Sequence, residues 1–352
     1  MASFRAASAF NSLLVSATGQ IISYIRSPKD FKLNKYAQMI ETPVTVGAYA
    51  RYDKDQAVRV VTDADFVFAD GADRPSGDWN QPRFKWVEFS VTRRDYPVRI
   101  GDMALKQAQQ GLKLKEHATG QVASQAMTNK TSRVMDLIET TANWGTATDT
   151  ANNLNGGAGL WSTASDTPGD PAYNAIKKTL TNAFVRINKN TNAVVQPKDL
   201  LLVVNPETAM TMANTAELHN YLKYGPFSKA QLEDANYNDN MVWGLPPTLY
   251  GVELVVEDAP YVSSRPTVAD ADGVRAYAKA GDSAVLLSRK GGINGNYGSP
   301  SFSTVQIYWH EWEMAVYTFD DPRHLRTEMH VMDCYSEQLA APEAGFLIRS
   351  VV

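Results

Sequence analysis

Between Val44 and Trp144 the chain commits itself to two elongated elements, an extended double run and a long helix, and neither can bury its own apolar face. From Val44 the texture is extended, with Thr45, Val46, Tyr49, Val58, Val60 and Val61. The stretch Ala69–Pro82 then brings Asp70, Asp73, Asp78, two Gly and two Pro, which is turn chemistry. A second extended run follows from Arg83 to Ile100, so the pair reads as a long hairpin with a polar tip. Within the second run Phe84 and Trp86 share one parity and Val87, Phe89 and Val91 the other, which predicts a bulge or a twist. Asp102 is a candidate N-cap for one long helix, continuous or interrupted, reaching Trp144, with Leu105, Ala108, Leu112, Val122, Ala126, Val134, Leu137 and Ile138 along its core face. Such a helix is about 60 Å long. Gly111 and Gly120 each cost about 1 kcal/mol relative to Ala, so a bend is expected. Elements of this shape make sense when neighbours cover them.

The rest of the chain alternates helix and strand. Residues Gly145–Gly169 read as a surface loop. Asp170-Pro171 is expected to start a helix with Tyr173, Ile176, Leu180, Phe184 and Ile187 on one face. Leu200–Val204 reads as a buried strand, and Asn205-Pro206-Glu207 opens another helix. Further extended runs are Leu249–Glu257, Ala284–Ser288 and Ser303–Trp309, and Glu311–Val352 reads as short strands and turns. The class is α+β. At the N-terminus Phe10, Leu13, Leu14, Ala17, Ile21, Tyr24 and Ile25 recur at helical spacing. The acid-free composition of Met1–Lys29 also suits a transit peptide, and a packing arm is the preferred reading.

Composition narrows the function. Over 352 residues the formal charge is −4, and no contiguous Lys/Arg cluster suggests a dedicated nucleic-acid grip. Cys334 is the only cysteine, which excludes an intrachain disulfide and a CxxC metal site. No apolar run reaches the roughly 18 residues of a membrane span. His310-Glu311 fails the HExxH pattern because Met314 stands where the second His belongs. Cys334 reads as a packed thiol. Gly291–Gly298 lacks the Gly-Lys-Ser/Thr ending of a phosphate loop, and Asp63, Asp65, Asp70, Asp73 and Asp78 lack EF-hand spacing. Neither a catalytic residue, a cofactor nor a metal is expected. The mixed charges Arg74, Arg83, Lys85, Arg93 and Arg94 and the aromatics Trp79, Phe84, Trp86 and Phe89 suit a partner-facing hairpin, because Arg and aromatics concentrate at interface centres.

The order of elements resembles the Hong Kong 97-like fold of tailed-bacteriophage major capsid proteins. Stretches similar to those proteins are Val58–Phe66, Arg93-Arg94-Asp95-Tyr96-Pro97, Glu139–Trp144, Trp243-Gly244-Leu245-Pro246 before Leu249-Tyr250-Gly251, and Pro300–Thr304. The resemblance covers nearly the whole chain. It implies an N-terminal arm (1–45), an E-loop hairpin with flanking strands (46–100) and a P-domain with its spine helix (101–190). An A-domain (191–309) and a C-terminal return to the P-domain (310–352) complete the implied division. It further implies a structural protein, not an enzyme, that self-assembles through pentamers and hexamers into an icosahedral head around double-stranded DNA. That DNA is expected to be touched weakly and without sequence specificity. Candidate intersubunit contacts are Phe10, Leu14, Arg74, Trp79, Phe84, Trp86, Phe89, Arg93 and Arg94, with Gly292 and Asn294 near a capsomer axis.

No long helical prosegment precedes the arm, so assembly is expected to use a separate scaffolding protein or none, together with a portal and a possible decoration protein. Lys85 lies in the hairpin without an assignable Asn partner, so the shell is expected to be non-covalent. Synthesis in the host cytoplasm and residence in the virion follow, with no membrane. The runner-up is an encapsulin-like nanocompartment shell that encloses a protein cargo. A rival from a different class is a soluble metal-dependent hydrolase built on His310, His324 and His330.

Overall fold

The computed structural model describes residues 25–52, 55, 58, 70, 84–107, 114–224, 243–262, 275–290 and 302–352. Helix α1 (Leu33–Tyr36) runs into strand β1 (Ala37–Glu41), and β2 (Val46–Tyr52) pairs antiparallel with β3 (Phe84–Ser90). After Val91 the chain continues as β4 (Thr92–Gly101), then α2 (Asp102–Gln107) and α3 (Leu114–Glu139). Next come β5 (Thr148–Thr150), α4 (Ala151–Leu154), α5 (Ala175–Asn190), β6 (Leu200–Val204), α6 (Pro206–Ala213) and α7 (Ala216–Tyr224). The remaining strands are β7 (Thr248–Leu249), β8 (Val252–Val256), β9 (Pro260–Val262), β10 (Arg275–Tyr277), β11 (Ser283–Lys290) and β12 (Phe302–Ser303). β13 (Val305–Trp309), β14 (Ala315–Asp321), β15 (Arg326–Leu339) and β16 (Phe346–Arg349) close the chain.

Two large sheets organise these strands. In the first, β15 is central: β13 and β14 pair along one edge, β4 along the other, and β1 joins β13 in parallel. In the second the order is β5-β16-β11-β6-β8-β7, with β12 extending β11. β6, Leu-Leu-Leu-Val-Val, is buried at every position because it lies between β11 and β8 with both faces covered. The segments 191–309 and 310–352 each feed both sheets: β13 leaves the second sheet for the first, and β16 returns from the first to the second. A single core joins the sheets, with Val134, Met135 and Ile138 of α3 packed among β6, β8, β11, β13 and β16.

Local chemistry explains several boundaries. Asn205 accepts a hydrogen bond from the Glu207 amide and Pro206 supplies a helical φ, so α6 starts where its sequence predicts. Asp102 is the first helical residue of α2 and not its N-cap, and α3 stops at Glu139, short of the expected Trp144. The chain turns there because Thr140 is extended and the Trp144 indole donates back to the Ile138 carbonyl at 2.6 Å.

Four expectations are corrected. Gly145–Gly169 is no surface loop: β5 pairs parallel with β16, and Ala151, Leu154 and Trp161 are buried. Its anchor is the C-terminus, since the Trp161 amide donates to the Val351 carbonyl at 2.7 Å. Asp170-Pro171 forms a turn, in which the Asp170 carboxylate accepts from the Ala172 amide, and α5 begins at Ala175. Glu311–Val352 contains the 14-residue β15, whose alternating burial hides its strand character behind polar residues. No bulge lies between β2 and β3, because the register runs unbroken from Val46↔Ser90 to Tyr52↔Phe84. The change of parity instead marks a strand that is apolar on both faces. The amphipathic arm expected at the N-terminus, the hairpin tip except residue 70, Gly111 and Gly291–Gly298 lie outside the described residues.

Candidate assembly surfaces

The β2/β3 hairpin has two unlike faces. Towards the body, Phe89 stacks on Tyr308 with ring centroids 4.2 Å apart, and Tyr49 lies 6.0 Å from the same ring. Ile40, Val91 and Cys334 complete this small cluster. Gly47, paired with Phe89, is required here: a Cβ at residue 47 would lie 2.6 Å from the Phe89 ring, which has Tyr308 behind it. Arg51 forms an ion pair with Glu343, fixing the distal end of β2 to the body. Burial pushes the Cys334 thiol above its ordinary value, which makes it a packed group and a poor nucleophile.

Away from the body the hairpin presents Phe84, Trp86 and Val46, exposed by 50%, 60% and 65%. Phe84 and Trp86 meet edge to face at 5.6 Å, so they form one preorganised apolar ridge. Among the described residues the contact of Trp86 on this face is the Phe84 ring, so the indole makes no described contact with the body.

A second exposed apolar region lies at the outer end of the first sheet. Among the described residues β14 pairs only with the N-terminal half of β15, and Val316 and Phe319 are exposed by 50% and 52% on opposite faces. Leu325 and Met103 stand at the adjoining turn, where the Asp102 amide donates to the Leu325 carbonyl at 2.9 Å. The strand is apolar at Val316, Tyr317 and Phe319 and ends in Asp320 and Asp321, so an exposed apolar stretch stands beside two acids at this edge.

The polar groups are spent on structure. Beneath α3, Lys130 and Asp333, both nearly fully buried, approach to 3.2 Å, with the Lys130 ammonium 4.5 Å from the Tyr335 ring. At the end of α3, the buried Lys279 donates to Glu139 at 2.9 Å and to the Ser283 carbonyl at 2.9 Å, and burial lowers its pKa against the pull of Glu139. Glu217 caps α5 from another helix, accepting from the amides of Ile176 at 3.0 Å and Lys177 at 2.9 Å and from Tyr250 at 2.8 Å. No local sequence signal announces that cap.

The histidines do not converge. The Nδ1 of His310 meets the Thr42 carbonyl at 2.7 Å, that of His324 meets Asp321 at 2.6 Å, and that of His330 meets Asp95 at 2.7 Å. Among the described residues no group of three or more His, Cys, Asp or Glu is arranged to hold a metal ion. No described helix is long and apolar enough to cross a membrane.

Of the contact residues named from sequence, Phe84 and Trp86 face outward, as does Arg93, whose guanidinium lies 4.0 Å from the Trp312 ring centre. Phe89 and Arg94 face inward: Phe89 is 3% exposed, and Arg94 donates to the Tyr335 carbonyl at 2.9 Å and stacks over that ring. Phe10, Leu14, Arg74, Trp79, Gly292 and Asn294 lie outside the described residues. The β14 edge was missed in sequence, although Val316-Tyr317-Thr318-Phe319 carries a strand signal.

No family model matches the sequence, and no curated protein does. Solved structures do. A phage-related protein from Bordetella bronchiseptica RB50 superposes with a TM-score of 0.59 at 13% identity, over 92% of this chain and 93% of that one. The capsid of cyanophage P-SCSP1u gives 0.57 at 11% identity, covering 94% and 91%. The mature capsid of bacteriophage PhiM1 gives 0.55 at 11% identity, covering 94% and 89%. Similarity that spans both chains end to end at such low identity is similarity of fold, and this chain has the fold of phage capsid proteins.

Proposed function

We propose that this protein is the major capsid protein of a tailed bacteriophage, a non-enzymatic subunit that builds an icosahedral head around double-stranded DNA through pentamers and hexamers. The observation that carries the reading is the pairing of that fold with the exposed rings of Phe84 and Trp86 on the β2/β3 ribbon. In this reading β2 and β3 are the base of the E-loop, whose outer face lies on a neighbouring subunit. The P-domain (101–190) holds α3 as its spine together with α5, and the A-domain (191–309) holds α6, α7 and most strands of the second sheet. Shell contacts each of about 1,000 Å² or more act together, so the apolar ridge and the β14 edge are covered only in the assembled particle. A portal is a further partner, assembly uses a separate scaffolding protein or none, a decoration protein is optional, and the virion is the location.

Electron microscopy of the purified protein, expressed alone and with its neighbouring phage genes, tests this. Closed shells or capsomer rings are expected. A small globular particle in both preparations would overturn the reading.

A further inference from the structure

Helix α5 carries a face that the folding of the chain does not use. From Pro171 to Lys198 the sequence holds Lys177, Lys178, Arg186, Lys189 and Lys198 and not one Asp or Glu, in a chain whose formal charge is −4. The helix buries Ile176, Leu180, Ala183 and Ile187 in the main core. That leaves Lys177, Lys178, Thr181, Asn182, Val185, Arg186 and Lys189 exposed on the opposite side. Arg186 is held by Asp149 at 2.8 Å. Lys178 rests over the Tyr173 ring at 5.6 Å, and Lys177, Lys178, Lys189 and Lys198 form no ion pair with a described residue.

The chemistry of the face selects its partner. A protein interface centres on aromatic and large apolar anchors, and the only one here is Val185. Ammonium groups interleaved with a hydroxyl and an amide, with Asp149 already engaged by Arg186, are what contacts a phosphate backbone without reading bases. Lys177 and Lys189 are twelve residues apart, about 18 Å along the helix, which spans about five phosphates of one strand. The helix N-terminus takes no part, since Glu217 already caps it.

We infer that this face of α5 meets the phosphate backbone of double-stranded DNA, and so lines the inner wall of the shell. The inference rests on the capsid reading and adds to it the residues and the orientation of the subunit. Three lysines of α5, none in an ion pair with a described residue, give a weak contact that salt dissolves, which suits a genome that must be held and later released.

The test is fluorescence anisotropy of a short mixed-sequence duplex with the full chain, below its assembly threshold. With three phosphate contacts the affinity falls about 40-fold between about 50 and 200 mM salt. In the triple variant Lys177→Gln, Lys178→Gln, Lys189→Gln that dependence is largely lost. A control triple, Lys29→Gln, Lys35→Gln, Lys115→Gln, removes equal charge from exposed sites elsewhere and retains the steep dependence. Absence of salt-dependent binding, or equal loss in both triples, overturns the inference. Equal affinity for polyglutamate assigns the face to an acidic protein and overturns it too. Electron microscopy of the same proteins separates the two claims: shells formed while the triples bind alike sink the face alone. Lost binding in the α5 triple from a chain that never forms shells sinks the capsid reading and leaves the phosphate contact standing.

Discussion

Replacing Trp86 by Ala separates assembly from folding. In the single subunit Trp86 leaves 60% of its surface in water. An indole side chain can bury up to ~250 Å², so about 150 Å² remains to be covered by a neighbour. At about 25 cal/mol per Å² this contributes about 3–4 kcal/mol per contact as an upper bound. Ala keeps part of that area, and loss of the edge-to-face contact with Phe84 costs the free and assembled states alike. A net loss of about 2–3 kcal/mol lowers each association constant about 30- to 150-fold. The subunit itself is expected to change by about 0.5 kcal/mol or less, because the side chain lies on the solvent side of β3. Light scattering against protein concentration gives the assembly threshold, and urea melts of the dissociated chain give the stability. A variant that assembles at the wild-type threshold, with an unaltered melt, would refute the reasoning that the ridge exists for a neighbour.

Other perturbations probe the interior. Lys130→Met leaves Asp333 buried without its counter-charge and is expected to cost about 3–5 kcal/mol in urea melts. The double variant Lys130→Met, Asp333→Leu should recover most of that, and no recovery would mean that the pair itself is net stabilising. Gly47→Ala pushes a methyl into the Phe89 ring and is expected to cost about 1–3 kcal/mol, seen as faster hydrogen exchange across β2 and β3. Burial raises the Glu257 pKa from 4.5, so the fold keeps a proton that the unfolded chain has released. Stability from this group is therefore fullest at acid pH and declines as pH climbs from its unfolded value through its raised folded one. Glu257→Gln should flatten the stability profile above about pH 4.5. Asp258 acts in the opposite sense. Despite burial, its contacts with Arg26 and Lys32 lower its pKa from 3.8, so its contribution is complete above that value and lost as pH falls through the lowered one. Asp258→Asn should remove that loss.

Much of the architecture was legible because it rests on local patterns. The apolar run Leu200–Val204, the cap and proline at Asn205-Pro206, the helical stripe through Val122, Ala126, Val134 and Ile138, and the paired extended runs around a polar turn each announce themselves within a few residues. Their order sufficed to suggest the fold that the solved structures share. What the sequence withheld depends on contacts between distant residues. Trp161 reads as part of a polar loop and is buried because Val351 takes its amide. β15 reads as a mixture of charges, and it is the central strand because α3 covers one set of alternate residues while the opposite set carries Glu328, His330 and their partners. The inward turn of Phe89 and outward turn of Trp86 follow from pleat parity, but which face meets the body was decided by Tyr308. The basic face of α5 escaped because its lysines are interleaved with core residues along the chain. Only the helix, by winding about 100° per residue, gathers them on one side. The sequence determines spacing, and the tertiary structure decides what each spaced residue faces.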